Sequence, residues 1–351
     1  DTEDLSYADL SAFLNMGDFI EVEGAVFTTR QGEKTIRAAC VRILSKALLS
    51  IPSKWYGIKD MEIRHRKRYL DLLLHKPLRD MFHRKAIFWN TMREFLLSRG
   101  FLEVDTPVLE NTTGGADARA FITHHNALDI DVYLRISAGE LWQKRLMVAG
   151  FEKTFEIGRI FRNEGIDLEH LQDYTQMECY LAYTDYNQGM EFTRELICFV
   201  AQKTFGTLQF TINEMQVDLS FGWDKIDFQE EIKKQLEIDP RTATLKEICA
   251  CLDKLDIEYE SVAKRGRLID LLWKQCRKKI AGPVFLTNIP TEMSPLAKRS
   301  ASNPDVALRF QLILAGSELC NGYSELNDPL DQRARFEKQA ELREHGDEEA
   351  H

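Results

Sequence analysis

The chain has 351 residues, a length that suggests two or three domains. Hydrophobic residues make up 44% and charged residues 29%, with a mean hydropathy of -0.33, which fits a globular protein with a sizeable core and argues against disorder. No apolar run approaches the roughly 18 residues of a membrane span, and a net charge of -10 argues mildly against a nucleic-acid binder, without excluding local basic patches.

No charged-then-apolar leader opens the chain, and its first residue is Asp1 rather than Met, which suggests that the true N-terminus is missing. Residues 1–15 read as a short helix. Phe19–Phe27 and Lys34–Leu44 are β-rich runs joined by Thr29-Arg30-Gln31-Gly32-Glu33, a hairpin signal. They are too little to fold alone and read as the remnant of a small β-domain. Ile51 to Gly57 is a linker with turn residues. The basic cluster Arg64-His65-Arg66-Lys67-Arg68 reads as a solvated linker or helix start.

From Pro77 to Arg99 the apolar positions Leu78, Met81, Phe82, Ile87, Phe88, Met92, Phe95 and Leu96 follow a helical period. Gly100 is placed to end that helix in a left-handed conformation. Phe101–Leu109 reads as a strand whose Pro107 suits an edge or a ladder end. Residues 154–164 and 173–183 read as two strands, and 184–204 as a helix. Most of 223–280 is helical, with breaks at Asp239-Pro240 and Gly266, and reads as an insertion. Residues 283–289 and 308–326 return to strand character, and a charged helix follows Asp331. The seven cysteines form no framework, which suggests a reducing cytosol. His124-His125 is read as having no nearby carboxylate or thiol ligands and is weak as a metal site.

Chemistry-bearing residues fall on strand faces. Glu156, Gly158, Ile160, Arg162 and Glu164 share one face of the first strand, and Gly158 leaves room for something to approach. Tyr174, Gln176, Glu178 and Tyr180 share one face of the second. A solvent-exposed sheet face with surface ion pairs accounts for this pattern equally well. Asn321, Tyr323 and Glu325 share strand parity, with Glu318 just before them, and would suit a ligand bearing a cation. The competing reading is a hairpin turn at Asn321-Gly322. Glu140 stands at capping-box spacing after Ser137. The Thr113-Gly114-Gly115-Ala116 loop is either a turn or a close backbone approach to a ligand.

These residues resemble a family. Gly100 to Pro107 is similar to the first motif of class II aminoacyl-tRNA synthetases, and Phe161-Arg162-Asn163-Glu164-Gly165 with Glu178 to the second. Phe121 to Leu128, Ser294 to Lys298 and Asn321 to Asp328 resemble class II lysyl-tRNA synthetases in particular. The resemblance runs from about residue 11 to the end.

It implies an α+β fold: an antiparallel six-stranded catalytic sheet flanked by helices, preceded by an OB-fold anticodon-binding domain. Residues 1–50 would be the C-terminal part of that domain, 51–76 a linker, and 77–351 the catalytic domain with its helical insertion at about 223–280. The implied activity is ATP-dependent activation of lysine and its transfer to tRNA(Lys), in a cytoplasmic homodimer with no membrane association. Arg162 would clamp the lysine carboxylate and the α-phosphate, where a planar guanidinium suits two oxyanions. Glu164, His170 and Tyr174 would contact ATP. Glu325 and Tyr180 would meet the lysine ε-ammonium. Gly115, Glu140 and Glu178 would hold the α-ammonium, Asn321 the carboxylate, and Tyr323 the aliphatic stem. Glu318 would bind Mg²⁺.

Gln311 stands where the family often has a second Mg²⁺-binding Glu. Ser137-Ala138-Gly139 lacks the family's Pro before Glu140, and Glu169 and Leu171 flank His170 in place of a basic residue and an Asn. The third class II motif, expected after the charged tail, is not reached by His351. The expectation is therefore an incomplete sequence that supports little adenylation by itself. The alternatives are a non-catalytic synthetase-like protein and a protein-modifying paralogue. The strands at 21–44 argue against the latter, which lacks an OB domain.

Overall fold

The computed structural model describes residues 11–49, 51, 58–112, 114–116, 118–165, 170–259 and 264–344. Of the helix expected over 1–15, residues 11–13 are helical and 1–10 lie outside the described residues, as does the linker over 52–57. The chain divides into two compact units, residues 1–86 and 87–351.

In the first unit, β1 (Phe19–Thr28) and β2 (Lys34–Ser45) form the expected antiparallel hairpin, with a bulge between Glu23 and Gly24. Helix α1 (Met61–Arg66) starts at Asp60, whose carboxylate accepts from the backbone N–H groups of Glu62 and Ile63. Helix α2 (Arg68–Leu74) follows directly. The basic cluster is therefore helical, and part of it turns inward. Arg64 and Arg68 donate to the fully buried Asp71, which also pairs with His75 Nδ1 at 2.7 Å. Burial raises the Asp71 carboxyl, but the His75 and Arg64 hydrogen bonds reverse this and hold it below its ordinary value.

Helix α3 (Lys76–Ser98) carries the chain into the second unit and buries Met92, Phe95 and Leu96, as their spacing dictates. It ends at Gly100, with φ +80°. The strand expected over Phe101–Leu109 is not continuous. It forms two short pieces, β3 (Leu102–Glu103) and β4 (Leu109–Glu110), which join different sheets. Between them the Thr106 N–H is spent on the Glu156 carboxylate and Pro107 has no N–H to give, so no ladder continues.

Strands β5 (Ile122–His125) and β6 (Ile130–Leu134) make a three-stranded sheet with β4, in the order β4-β6-β5. Helix α4 (Glu140–Val148) leads to β7 (Lys153–Phe161) and β8 (Asp173–Leu181), which pair antiparallel, with β3 parallel to β7. Helix α5 (Tyr186–Phe205) opens with an Asp185–Gln188 capping box and ends at Gly206. Next come the hairpin β9 (Gln209–Ile212) and β10 (Met215–Asp218).

The expected insertion contains β11 (Asp224–Asp227), α6 (Phe228–Leu236), α7 (Leu245–Lys254) and α8 (Arg265–Arg277). Gly266 lies inside α8 rather than at a break; the break falls between Lys254 and Arg265. A core of Phe228, Ile232, Ile248, Leu252, Leu272 and Trp273 holds these helices together. The segment is anchored by its edge, because β11 pairs parallel with β12 (Val284–Thr287). Strands β13 (Arg309–Leu314) and β14 (Ser317–Tyr323) complete a four-stranded sheet in the order β11-β12-β13-β14. Helix α9 (Pro329–Glu344) follows.

The hairpin turn falls at Ala315-Gly316, both with positive φ, and not at Asn321-Gly322, which lies within β14. Positive φ at both central residues matches the twist of the flanking strands, so the turn settles there.

Helix α5 underlies both larger sheets. Its Leu196 and Val200 pack with Phe155 of β7 and Phe95 of α3, and its Met190 packs with Phe310 and Leu312 of β13. The opposite faces of these strands are left for chemistry.

Candidate active site

Cross-strand pairing puts Thr154 beside Tyr180, Glu156 beside Glu178, Gly158 beside Gln176 and Ile160 beside Tyr174. Directly opposed residues share a face, so the two polar faces read from alternation are one continuous surface. The other face sends Phe155, Ile157, Met177, Cys179 and Leu181 into the core.

Glu156 and Glu178 form a like-charged pair that needs compensation. Glu156, 3% exposed, is ion-paired with the equally buried Arg135 and accepts from Thr106 N at 3.2 Å and Oγ1 at 2.6 Å. Arg135 also donates to the Arg159 carbonyl at 2.9 Å. It lies across Gly158, where any Cβ would collide with its Nη2. The space left by Gly158 is thus filled by the protein's own guanidinium, not by a ligand.

Glu178 is treated differently. It accepts from the Ala138 N–H at 2.9 Å and from Gln176 Nε2 at 2.7 Å, and makes no ion pair among the described residues. Burial pushes its carboxyl up to about 7, helped by Glu140 and opposed by the Ala138 N–H, Arg162 and Lys144.

Glu140 opens α4 behind Gly139, which has φ +76° and offers no side-chain cap. The capping box read from Ser137 does not form, because Ser137 Oγ donates to the Gly114 carbonyl at 3.3 Å. Glu140 instead turns inward, 4% exposed, and accepts from Tyr323 Oη at 2.9 Å and Lys144 Nζ at 2.7 Å. Gly115, at φ +89°, passes so close to Glu140 Oε2 and Ser137 Oγ that a side chain would overlap them.

Lys144 Nζ also meets Glu325 Oε2 at 3.1 Å and lies 6.0 Å from the Tyr323 ring centre. Burial lowers its ammonium pKa, but Glu140 and Glu325 outweigh this and raise it. Burial raises the Glu325 carboxyl, with Lys144 pulling it back. Burial, Glu140 and Glu178 together push the Tyr180 hydroxyl well above its ordinary range.

Glu325 is braced by the Ser294–Lys298 segment. Leu326 N donates to the Leu296 carbonyl at 3.0 Å and Lys298 N to the Ser324 carbonyl at 2.8 Å. Arg335 of α9, 8% exposed, fixes that segment through the carbonyls of Ser294, Pro295 and Ala297.

On β14, Asn321 Oδ1 accepts from Arg309 Nε at 2.7 Å. Leu312 faces Cys320 and Ile313 faces Glu318, so Leu319 is an extra residue in the ladder. Strict alternation would separate Glu318 from Asn321 and Tyr323. The bulge returns it to their face. The bulk of the protein raises the Glu318 carboxyl, while Arg309, Arg277 and Lys274 lower it.

Arg162 lies just past β7. Its Nε donates to the Ile136 carbonyl at 3.2 Å, and its guanidinium stands 5.8 Å from the Tyr174 ring centre. The Glu164 carbonyl accepts from Gln172 Nε2 at 3.0 Å. His170 is exposed on the same β7–β8 loop, and Glu169 lies outside the described residues. Gly115, Glu140, Glu178, Tyr180, Tyr323 and Glu325 thus gather into one acidic wall, with Arg162 and Tyr174 farther along the same strand pair.

His124 does have carboxylate neighbours, contrary to the sequence reading. The turn after β5 brings Asp129 to 3.3 Å and Asp131 to 3.1 Å. No group of three metal-ligating side chains forms among the described residues.

Sequence reading missed Lys144, Arg135 and Arg309. Lys144 alone carried a signal, standing four residues after Glu140 on a helix.

Residues 60–351 match the family model of class II tRNA synthetases (D, K and N). A lysine–tRNA ligase of Thermoanaerobacter pseudethanolicus is 44% identical over 98% of this chain and 69% of its own length. One from Thermosipho africanus is 43% identical over 98% and 68%. One from Thermotoga maritima is 44% identical over 96% and 67%. The chain belongs to the class II tRNA synthetases of the D, K and N group.

Proposed function

We infer that the chain acts as a lysine–tRNA ligase, joining lysine to ATP and passing it to tRNA(Lys). The observation that carries this reading is the bridging of Glu140 and Glu325 by a single internal ammonium, with Glu178 within electrostatic reach of both Glu140 and that ammonium and Arg162 beyond them. Such a wall suits a substrate with two ammonium groups and one carboxylate. The lysine carboxylate attacks the α-phosphorus, the bond to the bridging oxygen breaks, and pyrophosphate leaves. Arg162 holds carboxylate and phosphate in line, which supplies orientation and charge neutralisation together. Tyr174, packed against Arg162, offers a ring for the adenine, and Glu164 and His170 contact ATP from the loop.

Glu325 and Tyr180 receive the ε-ammonium, and Gly115, Glu140 and Glu178 the α-ammonium. Asn321, oriented by Arg309, receives the carboxylate, and Tyr323 covers the aliphatic stem. Neutral side chains are rejected because they would leave the wall's excess negative charge without a partner. Glu318 and Gln311 offer one carboxylate and one amide. That donor set fits a Mg²⁺ ion whose other ligands are phosphate oxygens and water, where the ion would neutralise phosphate charge.

Exposed Leu102, within the first class II motif, and Leu109, just after it, support a homodimer. Seven free thiols suit a reducing cytoplasm. No described helix is long and apolar enough to cross a membrane. Residues 19–45 read as part of an OB-type anticodon-binding domain. No observation favours the non-catalytic or protein-modifying alternatives.

The test is lysine titration by calorimetry, with lysine-dependent pyrophosphate exchange alongside. Glu325→Gln should weaken lysine binding by about 2–4 kcal/mol. Unchanged lysine binding in that variant would sink the assignment.

A further inference from the structure

We propose that Lys144 is a positioning residue of the lysine site: its ammonium pins one oxygen of Glu140 and one of Glu325, and so keeps the acidic wall ionised and spaced for the substrate. This deepens the lysine-site reading above and rests on it.

The geometry is specific. Lys144 Nζ is 2.7 Å from Glu140 Oε1 and 3.1 Å from Glu325 Oε2. It bridges a helix start and a post-strand segment that are 185 residues apart in sequence, counting from 140 to 325. Glu140 Oε1 is held a second time by Tyr323 Oη at 2.9 Å. Lys144 is 25% exposed, Glu140 5% and Glu325 42%, so water screens the Glu140 arm of the bridge little and the Glu325 arm more.

Charge matching gives the pin a purpose. Glu140, Glu178 and Glu325 carry three negative charges when ionised, and Lys144 removes one. The two that remain equal the two ammonium groups of lysine, whose carboxylate goes to Arg162. Without Lys144 the wall would hold three adjacent carboxylates, and like charges at close range drive protonation. The groups facing the wall are Glu140 and Lys144 from α4, Glu178, Tyr180 and Tyr174 from β8, Arg162 after β7, and Tyr323 and Glu325 at β14. Lys144 lowers the carboxyls of both Glu178 and Glu325, so its removal moves both further up.

The sign follows. Lysine binds the ionised wall, so affinity falls as pH drops through the carboxyl pKa values. Removing Lys144 shifts that fall to higher pH. Lys144→Met should weaken lysine binding roughly tenfold near pH 7, with recovery toward pH 8.5. Lys144→Arg keeps the cation and should keep the wild-type acid limb, whatever its absolute affinity. ATP binding should be unchanged in both.

The experiment is calorimetric titration of the full chain with L-lysine from pH 6 to 8.5, for wild type, Lys144→Met, Lys144→Arg and Glu325→Gln, each checked by thermal melting. A higher-pH acid limb in Lys144→Met, restored in Lys144→Arg, supports the proposal. An unshifted limb in Lys144→Met overturns it, whether affinity is wild-type or uniformly reduced. If Lys144→Met does not fold, a shifted limb in Lys144→Arg overturns it and an unshifted one supports it. If Glu325→Gln binds lysine like wild type, the lysine-site reading itself falls. If Glu325→Gln loses binding while Lys144→Met does not, only the role of Lys144 falls.

Discussion

Two carboxylates one strand apart meet opposite fates. Glu156 and Glu178 face each other across β7 and β8. Glu156 is locked by Arg135 and by both donors of Thr106. Glu178 has only an N–H and an amide, and its carboxyl sits at about 7. The lesson is that a buried acid supplied with its own cation is architecture. An acid left with too few donors, beside other acids, keeps a raised carboxyl, and it is the one proposed to meet a ligand.

The largest effect should come from breaking the architectural half. Arg135→Met strands Glu156 as an uncompensated buried charge, and should cost about 3–5 kcal/mol of folding stability. Urea denaturation measures it; a loss below about 1 kcal/mol would mean that Glu156 does not depend on its cation. Gly158→Ala presses on the same guanidinium from beneath. It should cost about 1–3 kcal/mol, less than Arg135→Met because the side chain can partly shift. Wild-type stability in Gly158→Ala would show that Arg135 does not need that approach.

The third prediction sharpens the other half. The folded-state Glu178 carboxyl, at about 7, is raised above its ordinary 4.5. The ligand-free fold therefore binds that proton more tightly than the unfolded chain does. Its contribution is fully present below about pH 4.5 and is lost as pH rises through about 7. Glu178→Gln should flatten the fall in melting temperature across that window by about 2 °C. Glu110, also raised to about 7 by burial, should keep part of the slope in the variant. An identical pH profile in Glu178→Gln and wild type would mean that Glu178 is already compensated.

Much of this was legible beforehand, for a physical reason. Period-two alternation fixes which side chains share a strand face, so Glu178 and Tyr180 could be read together, and antiparallel pairing then merged the two faces. What alternation cannot carry is pairing with distant residues. Arg135 lies on no recognisable motif, and only the folded chain lays it across Gly158. Lys144 was visible as a helical neighbour of Glu140, but its second partner, Glu325, was not. The break at Thr106-Pro107 was also hidden, because the ladder is ended by a side chain fifty residues on, Glu156. The Asn321-Gly322 dipeptide misled in the other direction. Its turn propensity is real, but Ala315-Gly316 had already closed the hairpin, and Gly322 instead makes room for the Phe310 ring.

The extra residue in β14 works like a shift of reading frame for side chains. Upstream of Leu319 the inward and outward positions are exchanged relative to those downstream. Were all the residues kept and the bulge ironed flat, Asn321 and Tyr323 would stay where they are and Glu318 would turn to the Phe310 side of the sheet. One unpaired residue thus decides whether Glu318, Asn321 and Tyr323 stand on one surface or are divided between two.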